Sequence, residues 1–414
     1  MKHVLELEVT CDGRRVGRLA QGERGKIFFQ YDHAWLEQGF SLAPGMMAFD
    51  ASAQPARAPL FEQLHGVFND SLPDGWGMLL MDRVFRAKVG WARGEITPMD
   101  RLAYLGARGM GALEYRPATW PELPEDEVDL AALAADAHAQ LAGSESEVLT
   151  QLRILGGSPG GARPKVTIAR STGKGDDKEC RSGFADLPKG YAHWLVKFRS
   201  LNDAIDMGRV ERAYADMAKT AGIMMEKTDL IEAKVGGKSE AFFATRRFDR
   251  IGANKRAVLS LAGYLYADHR APSVDYDQLL AATMKITQDF AEVRHAFRQA
   301  VFNVLAHNKD DHAKNFAFVF DVPDRRWHLS PAYDLTFSHG MAGEHISSIA
   351  GKGNPARKDL LRLAHDHAIV DADVIIDEVR SAIASWRKRA KRWGVYEGTS
   401  NEVEKAMREI DRRF

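Results

Sequence analysis

Cysteine is nearly missing from this chain. Among 414 residues there are two, Cys11 and Cys180. That is too few for a disulfide framework or a thiolate zinc set, and it fits a reducing compartment. Net charge is missing too: 57 Lys and Arg stand against 57 Asp and Glu. A globally basic nucleic-acid binder is therefore not indicated, although a local basic patch stays open. No run of ~18 apolar residues occurs, so no membrane span is expected. Met1-Lys2-His3-Val4-Leu5-Glu6 lacks the apolar stretch of a signal peptide, and no internal repeat is evident. These exclusions lead to the expectation of a soluble, cytoplasmic protein, long enough for two or three domains.

What is present starts with short alternating segments. Val4, Leu5, Leu7 and Val9 precede Asp12-Gly13, and Val16 and Leu19 follow; Asp-Gly between alternating apolar runs predicts a β-hairpin. Residues 26–31 predict another strand. Leu72-Pro73-Asp74-Gly75-Trp76-Gly77 is a tight turn opening a helical pattern over 78–85. Residues 117–127 form an acidic, Pro-rich linker, which suggests a domain boundary. Beyond it lie a helical stretch over 128–142 and a Gly-rich loop, Gly156-Gly157-Ser158-Pro159-Gly160-Gly161. That loop runs into the strand Val166-Thr167-Ile168-Ala169. Strands are expected at 194–198 and 242–248, with a helix over 208–221. From about 275 helical periodicity dominates. A β-rich part followed by a helix-rich part predicts an α+β chain.

The densest chemical signal is His307-Asn308-Lys309-Asp310-Asp311-His312-Ala313-Lys314-Asn315, with Tyr333-Asp334 downstream. Asp310 and Asn315 stand five positions apart, the Asp-to-Asn spacing of a protein-kinase catalytic loop. Phosphoryl transfer needs a carboxylate to accept a hydroxyl proton, and an amide oxygen and a second carboxylate to hold Mg²⁺. Asp310, Asn315 and Asp334 supply those groups. Polar segments of this kind are also common as solvated loops, but this one lies between the apolar runs 300–305 and 316–320. Upstream, a Gly-rich loop lets backbone N–H groups approach anionic oxygens. Lys197 interrupts an apolar strand, and Glu211 on the following helix could orient it. Singly, Lys197 is equally an outward residue of an edge strand, and Glu211 a solvated helix charge. The basic run 387–392 is either a contact for DNA phosphates or a charged helix face.

These motifs, in this order, resemble the HipA family of bacterial serine/threonine kinases, the toxins of type II toxin–antitoxin pairs. Leu72-Pro73-Asp74-Gly75-Trp76 resembles a signature of that family's N-terminal domain. The segment Ser158-Pro159-Gly160-Gly161-Ala162-Arg163-Pro164-Lys165 is similar to its phosphate loop. Phe248-Asp249-Arg250 is similar to its Arg-Phe-Asp-Arg segment, and 310–316 and 330–334 resemble its catalytic loop and metal-binding segment. The resemblance implies a small β-rich N-terminal domain over 1–117. It also implies a two-lobed protein-kinase-like fold, with an N-lobe over 128–255 and a helix-rich C-terminal lobe over 256–414.

It further implies Asp310 as catalytic base, with Lys197 and Glu211 in the catalytic set, and ATP and Mg²⁺ as cofactors. Gly160, Gly161, Ala162, Arg163, Pro164, Lys165 and Lys197 would line the phosphates, and Arg246, Arg247 and Phe248 the adenine. His312, Ala313, Lys314, Asn315, Tyr333 and Asp334 would complete the nucleotide site, with Asn315 and Asp334 on the metal. Ser158 matches the family's inhibitory autophosphorylation serine; here Pro159 follows it and restricts its backbone. Arg246 stands where the family often has Glu, a change that a backbone contact to adenine tolerates. The implied partners are a HipB-like helix-turn-helix antitoxin, operator DNA through that complex, and a protein substrate such as an aminoacyl-tRNA synthetase. A small-molecule phosphotransferase of similar fold and a non-catalytic co-repressor are the alternative functions.

Overall fold

A computed structural model describes residues 2–57, 59–119, 126–143, 150–157, 161, 163–173, 179–182, 187–252 and 254–414. The chain divides into two compact units. One comprises Met1–Asp203 with Ile231–Leu259, the other Ala204–Leu230 with Ser260–Phe414. The expected linker at 117–127 falls inside the first unit, with 120–125 outside the described residues.

The first unit is built on antiparallel sheets. Glu6–Cys11 and Arg14–Gln21 form the expected hairpin, closed where Cys11 pairs with Arg14. Asp12 and Gly13 both take positive φ, 47° and 72°, the two-residue turn whose twist matches the strands. The five-stranded sheet runs in the order Gln54–Pro55, Ile27–Tyr31, Arg14–Gln21, Glu6–Cys11, Leu113–Arg116. Leu7 and Val9 in one strand, and Ile27, Phe29 and Tyr31 in another, are buried, as period-two patterning requires. A six-stranded sheet follows, in the order Thr228–Val235, Lys238–Arg246, Tyr191–Lys197, Lys165–Ser171, Cys180–Ser182, Asp126–Glu127. Its core joins Val166, Ile168, Trp194 and Val196 to Leu152 and Leu155, and to Trp76 and Leu80 of the helix Gly75–Val89.

A buried ion cluster fastens the segment around 110 to the one around 249. The Asp249 carboxylate is fully buried. It accepts two hydrogen bonds from Arg247, at 2.9 and 2.7 Å, one from Arg250 at 2.7 Å, and one from the Gly111 N–H at 2.7 Å. The same guanidiniums donate to the carbonyls of Gly109 and Gly111. A buried charge is tolerated when paired and hydrogen-bonded in this way.

The second unit is dominated by helices: Met207–Thr220, Tyr276–Thr287, Phe290–Leu305, Arg357–Asp366, Ala372–Ile383, Trp386–Arg392 and Glu397–Asp411. A hairpin of Ala317–Asp321 and Arg326–Leu329 accompanies them. β-rich then helix-rich, the α+β expectation holds. In the basic run, Arg387 pairs with Glu404 at 2.6 Å, Arg389 donates to Thr220 Oγ1 at 2.6 Å, and Arg392 lies 3.9 Å from Asp216. Much of that run thus faces groups of its own unit. Among the described residues no helix is long and apolar enough to cross a membrane.

The Asp249 cluster yields a stability prediction. Burial alone would raise the Asp249 carboxyl, but the charges of Arg247 and Arg250 outweigh it and hold the group far below the usual carboxylate range. A depressed carboxylate stabilises the fold above its unfolded value, about 3.9, and that contribution fades only as pH falls toward the folded value. Asp249→Ala, which leaves two buried guanidiniums without their carboxylate, is expected to cost about 3–5 kcal/mol near neutral pH. Denaturant unfolding should show a gap between variant and parent that closes only in strong acid; equal midpoints at neutral pH would contradict this.

Candidate functional site

In the first unit the turn around Asp74 is tied to Gly161 of the Gly-rich stretch. The Asp74 carboxylate accepts the Gly161 N–H, and the Gly161 carbonyl accepts the Trp76 N–H at 3.1 Å. Gly161 has φ +99°, a backbone conformation that strains any residue with a Cβ and favours glycine. Ser158, Pro159, Gly160 and Ala162 lie outside the described residues. Arg163 is held by Asp203 through Nε and Nη2, at 3.0 and 3.1 Å. The Pro164 carbonyl accepts the Phe198 N–H at 2.9 Å, tying the loop's exit to the end of the strand Tyr191–Lys197.

That strand is central in its sheet, with Lys238–Arg246 on one side and Lys165–Ser171 on the other. Lys197 is therefore not on an edge. It pairs in register with Lys165 across one ladder and with Phe243 across the other, and its Nζ lies 5.6 Å from the Phe243 ring centre. Both lysines are buried. Like charges directly opposite in a sheet repel, so this row concentrates positive charge beside Gly161. That fits a polyphosphate ligand. On the neighbouring strand Arg246 is exposed, and Phe248 beyond its end is half-buried. The Arg247 guanidinium belongs to the Asp249 cluster, and its N–H donates to the His193 carbonyl at 3.0 Å.

In the second unit the helix Phe290–Leu305 ends where His307 takes φ 54°, and the polar motif follows at once. The two adjacent aspartates have opposite surroundings. Asp310 is exposed, and among the described residues its carboxylate has no hydrogen bond or ion pair. Asp311 is buried and accepts from Tyr276 Oη at 2.7 Å, His345 Nδ1 at 2.8 Å, and the N–H groups of Ile346 and Ser347 at 2.9 and 3.2 Å. Tyr276 Oη in turn accepts from Asn303 Nδ2 at 2.9 Å, and Asn303 Oδ1 accepts from Asn308 Nδ2 at 2.9 Å. Burial first, and then the Asp311 charge, push the Tyr276 hydroxyl well above its usual range, so it is a permanent donor.

Asn315 closes the loop. Its Nδ2 donates to the Asp310 carbonyl at 2.7 Å, which directs Oδ1 away as an acceptor. The short helical turn Ala313–Asn315 is set by the Asn315 N–H on the His312 carbonyl, 2.8 Å. His312 stacks edge-on against His269, with ring centres 5.6 Å apart. Tyr333 Oη donates to the Lys314 carbonyl at 2.6 Å, and Asp334 follows Tyr333 in the chain. Asp334 has φ 55°, a left-handed conformation Asp tolerates better than most residues. An amide oxygen such as that of Asn315 and a carboxylate such as that of Asp334 are donor types suited to Mg²⁺. Glu211 is buried on the helix Met207–Thr220, so it is no solvated helix charge; that helix meets the Ala306 carbonyl through Tyr214 Oη at 2.6 Å.

Sequence reasoning missed the role of Asp311, and with it Tyr276, Asn303 and His345. The doubled Asp was the available signal, yet nothing local says which of the two is buried. It also missed that Asp74 supports the Gly-rich loop.

Two family models match the chain, with bounds that differ from those of the two compact units. Residues 7–116 match the family model of the HipA N-terminal domain, and residues 157–387 that of the HipA-like C-terminal domain. Among solved structures the chain is similar to one from the "Toxin Antitoxin System HipA, HipB and its operator DNA complex" of Shewanella oneidensis MR-1. That match has 16% identity, 98% of this chain and 96% of that chain covered, and a TM-score of 0.68. It also matches the Helicobacter pylori proinflammatory kinase CtkA at 13% identity, covering 51% of this chain and 92% of that chain, with a TM-score of 0.31. No curated protein matches.

Tyr276→Phe removes one donor from Asp311 and one acceptor from Asn303 while keeping the ring. The expected loss is about 1–3 kcal/mol, the cost of leaving buried polar groups unmatched. Chemical denaturation measures it; a variant as stable as the parent would show that the Tyr276 hydroxyl is not needed to hold Asp311.

Proposed function

As the chain belongs to the HipA family, we propose that it is an ATP- and Mg²⁺-dependent serine/threonine protein kinase. The observation that carries this reading is the pairing of an exposed Asp310 carboxylate, unpartnered among the described residues, with an Asn315 whose amide nitrogen is fixed on the Asp310 carbonyl. Asp310 is then the general base, accepting the proton of a substrate hydroxyl. Asp311 cannot take that role, because its lone pairs already accept from Tyr276, His345, Ile346 and Ser347. Asn315 Oδ1 and the Asp334 carboxylate would hold Mg²⁺. Lys197 and Lys165, with the loop around Gly161, would hold phosphate oxygens, and Ser158 in that loop would be an autophosphorylation site. Bound ATP·Mg²⁺ supplies the γ-phosphoryl group and the counter-charge for its transfer.

The biological setting follows as part of the same proposal. The fold is shared with a chain from a HipA, HipB and operator DNA complex, which supports a HipB-like antitoxin as partner and operator DNA as a contact of the complex. The substrate would be a cytoplasmic component of translation, such as an aminoacyl-tRNA synthetase, and its phosphorylation would arrest growth.

Incubation of the full chain with γ-labelled ATP and a cell lysate tests the reading. Label should enter protein on Ser or Thr. In Asp310→Asn the rate should fall on the order of 10²–10⁴-fold, with ATP binding by calorimetry retained. Equal labelling by variant and parent would remove Asp310 from the mechanism, and label appearing in metabolites instead would favour a small-molecule phosphotransferase.

A further inference from the structure

The Asp310 side chain has no partner of its own among the described residues, so its position depends on its backbone. That backbone is gripped from both sides by one segment, residues 340–354. Before it, the buried Lys309 donates through Nζ to the Gly343 carbonyl at 2.6 Å and to Asn354 Oδ1 at 3.2 Å. The Lys309 carbonyl accepts the Ile346 N–H at 3.2 Å. After it, the Asp311 carboxylate takes His345 Nδ1 and the N–H groups of Ile346 and Ser347, and the Asp311 carbonyl accepts Ser347 Oγ at 2.5 Å.

The segment is itself fixed. The His345 N–H donates to the Gly353 carbonyl at 2.8 Å, and Ile349 and Lys352 exchange backbone bonds at 3.1 and 3.0 Å. Ser348 Oγ and the Gly351 N–H both donate to Asp275 Oδ2, at 2.7 and 3.0 Å. Gly340, at φ +70°, has no room for a Cβ, which would lie 2.0 Å from the Glu344 carbonyl oxygen and 2.7 Å from the Lys309 Cβ. The segment therefore lies tight against residue 309.

We infer that residues 340–354 form a clamp that sets the position of Asp310, with Lys309 and His345 as positioning residues acting through its backbone. The inference deepens the proposed kinase function and rests on the role given there to Asp310. An ionised Asp311 oxygen can only accept, so His345 Nδ1 carries the hydrogen. Asparagine at 345 would offer an amide N–H at nearly the same distance from Cβ, whereas phenylalanine would keep the ring and offer none. The physical requirement is preorganisation: a reacting group displaced by about an ångström loses rate without losing the fold.

The test uses the full chain, with His345→Phe, His345→Asn and Lys309→Met. Two readouts are taken: the phosphoryl-transfer rate at saturating ATP and Mg²⁺ beside the ATP dissociation constant, and amide hydrogen exchange of peptides within 307–316 and 343–348. In His345→Phe the transfer rate should drop roughly 10–100-fold while the ATP dissociation constant stays within about twofold. Exchange in both peptides should quicken. His345→Asn should recover most of the rate and of the protection, and Lys309→Met should behave like His345→Phe, which keeps the test open should one variant fail to fold. Unchanged exchange or unchanged rate in both disruptive variants, or an Asn variant as impaired as Phe, overturns the clamp. Absence of transfer by the parent chain overturns the kinase reading instead, and exchange alone then decides the clamp.

Discussion

A carboxylate without access to water stays ionised only if donors replace the water, and around Asp311 four of them converge. They come from distant parts of the second unit: Tyr276 from a helix, and His345, Ile346 and Ser347 from a segment more than thirty residues downstream. Through Tyr276 the network reaches Asn303 and Asn308 at the end of the helix Phe290–Leu305. One buried charge thus fixes where the helix stops, how the polar loop leaves it and which segment covers it. The neighbouring Asp310 is left exposed, on a backbone that cannot move without breaking that network. Low dielectric makes such a network costly to half-satisfy, and that gives the loop a single conformation.

The first unit is organised by the same principle with different chemistry. Asp249 collects Arg247, Arg250 and the Gly111 N–H, and Asp74 collects the Gly161 N–H. Each of these acids links stretches far apart in the chain. The first secures the residues after the strand Lys238–Arg246, the second secures the loop before the strand Lys165–Ser171. Between them, Lys165 and Lys197 stand opposite one another in a central ladder.

What could be read from the sequence was what depends on near neighbours. The Asp12-Gly13 hairpin is dictated by a two-residue turn. The Asp310-to-Asn315 spacing is spanned by one short turn, and the apolar runs on either side of it are buried in the structure. A lysine inside an apolar strand marked 197 as unusual but left open whether it faces out of an edge strand; it is buried. Remote partners were not legible. Whether Lys197 sits on an edge or in the centre depends on pairing with 165–171 and 238–246. Whether Asp310 or Asp311 is buried depends on Tyr276 and His345. The Arg-Phe-Asp-Arg segment carries an ion cluster whose backbone partners, Gly109 and Gly111, lie well over a hundred residues away. Periodicity and motif spacing hold no record of such contacts.

The account divides labour between two adjacent aspartates: Asp311 holds the loop and Asp310 does the chemistry. Asp310→Asn and Asp311→Asn, taken through thermal unfolding and ATP-dependent phosphoryl transfer side by side, test that division most directly. The account predicts that the Asp310 variant melts with the parent yet transfers phosphate on the order of 10²–10⁴-fold more slowly, and that the Asp311 variant melts well below the parent, because an amide cannot accept from every donor around it. An Asp310 variant that is the destabilised one of the pair, or that transfers phosphate at the parent's rate, would contradict it.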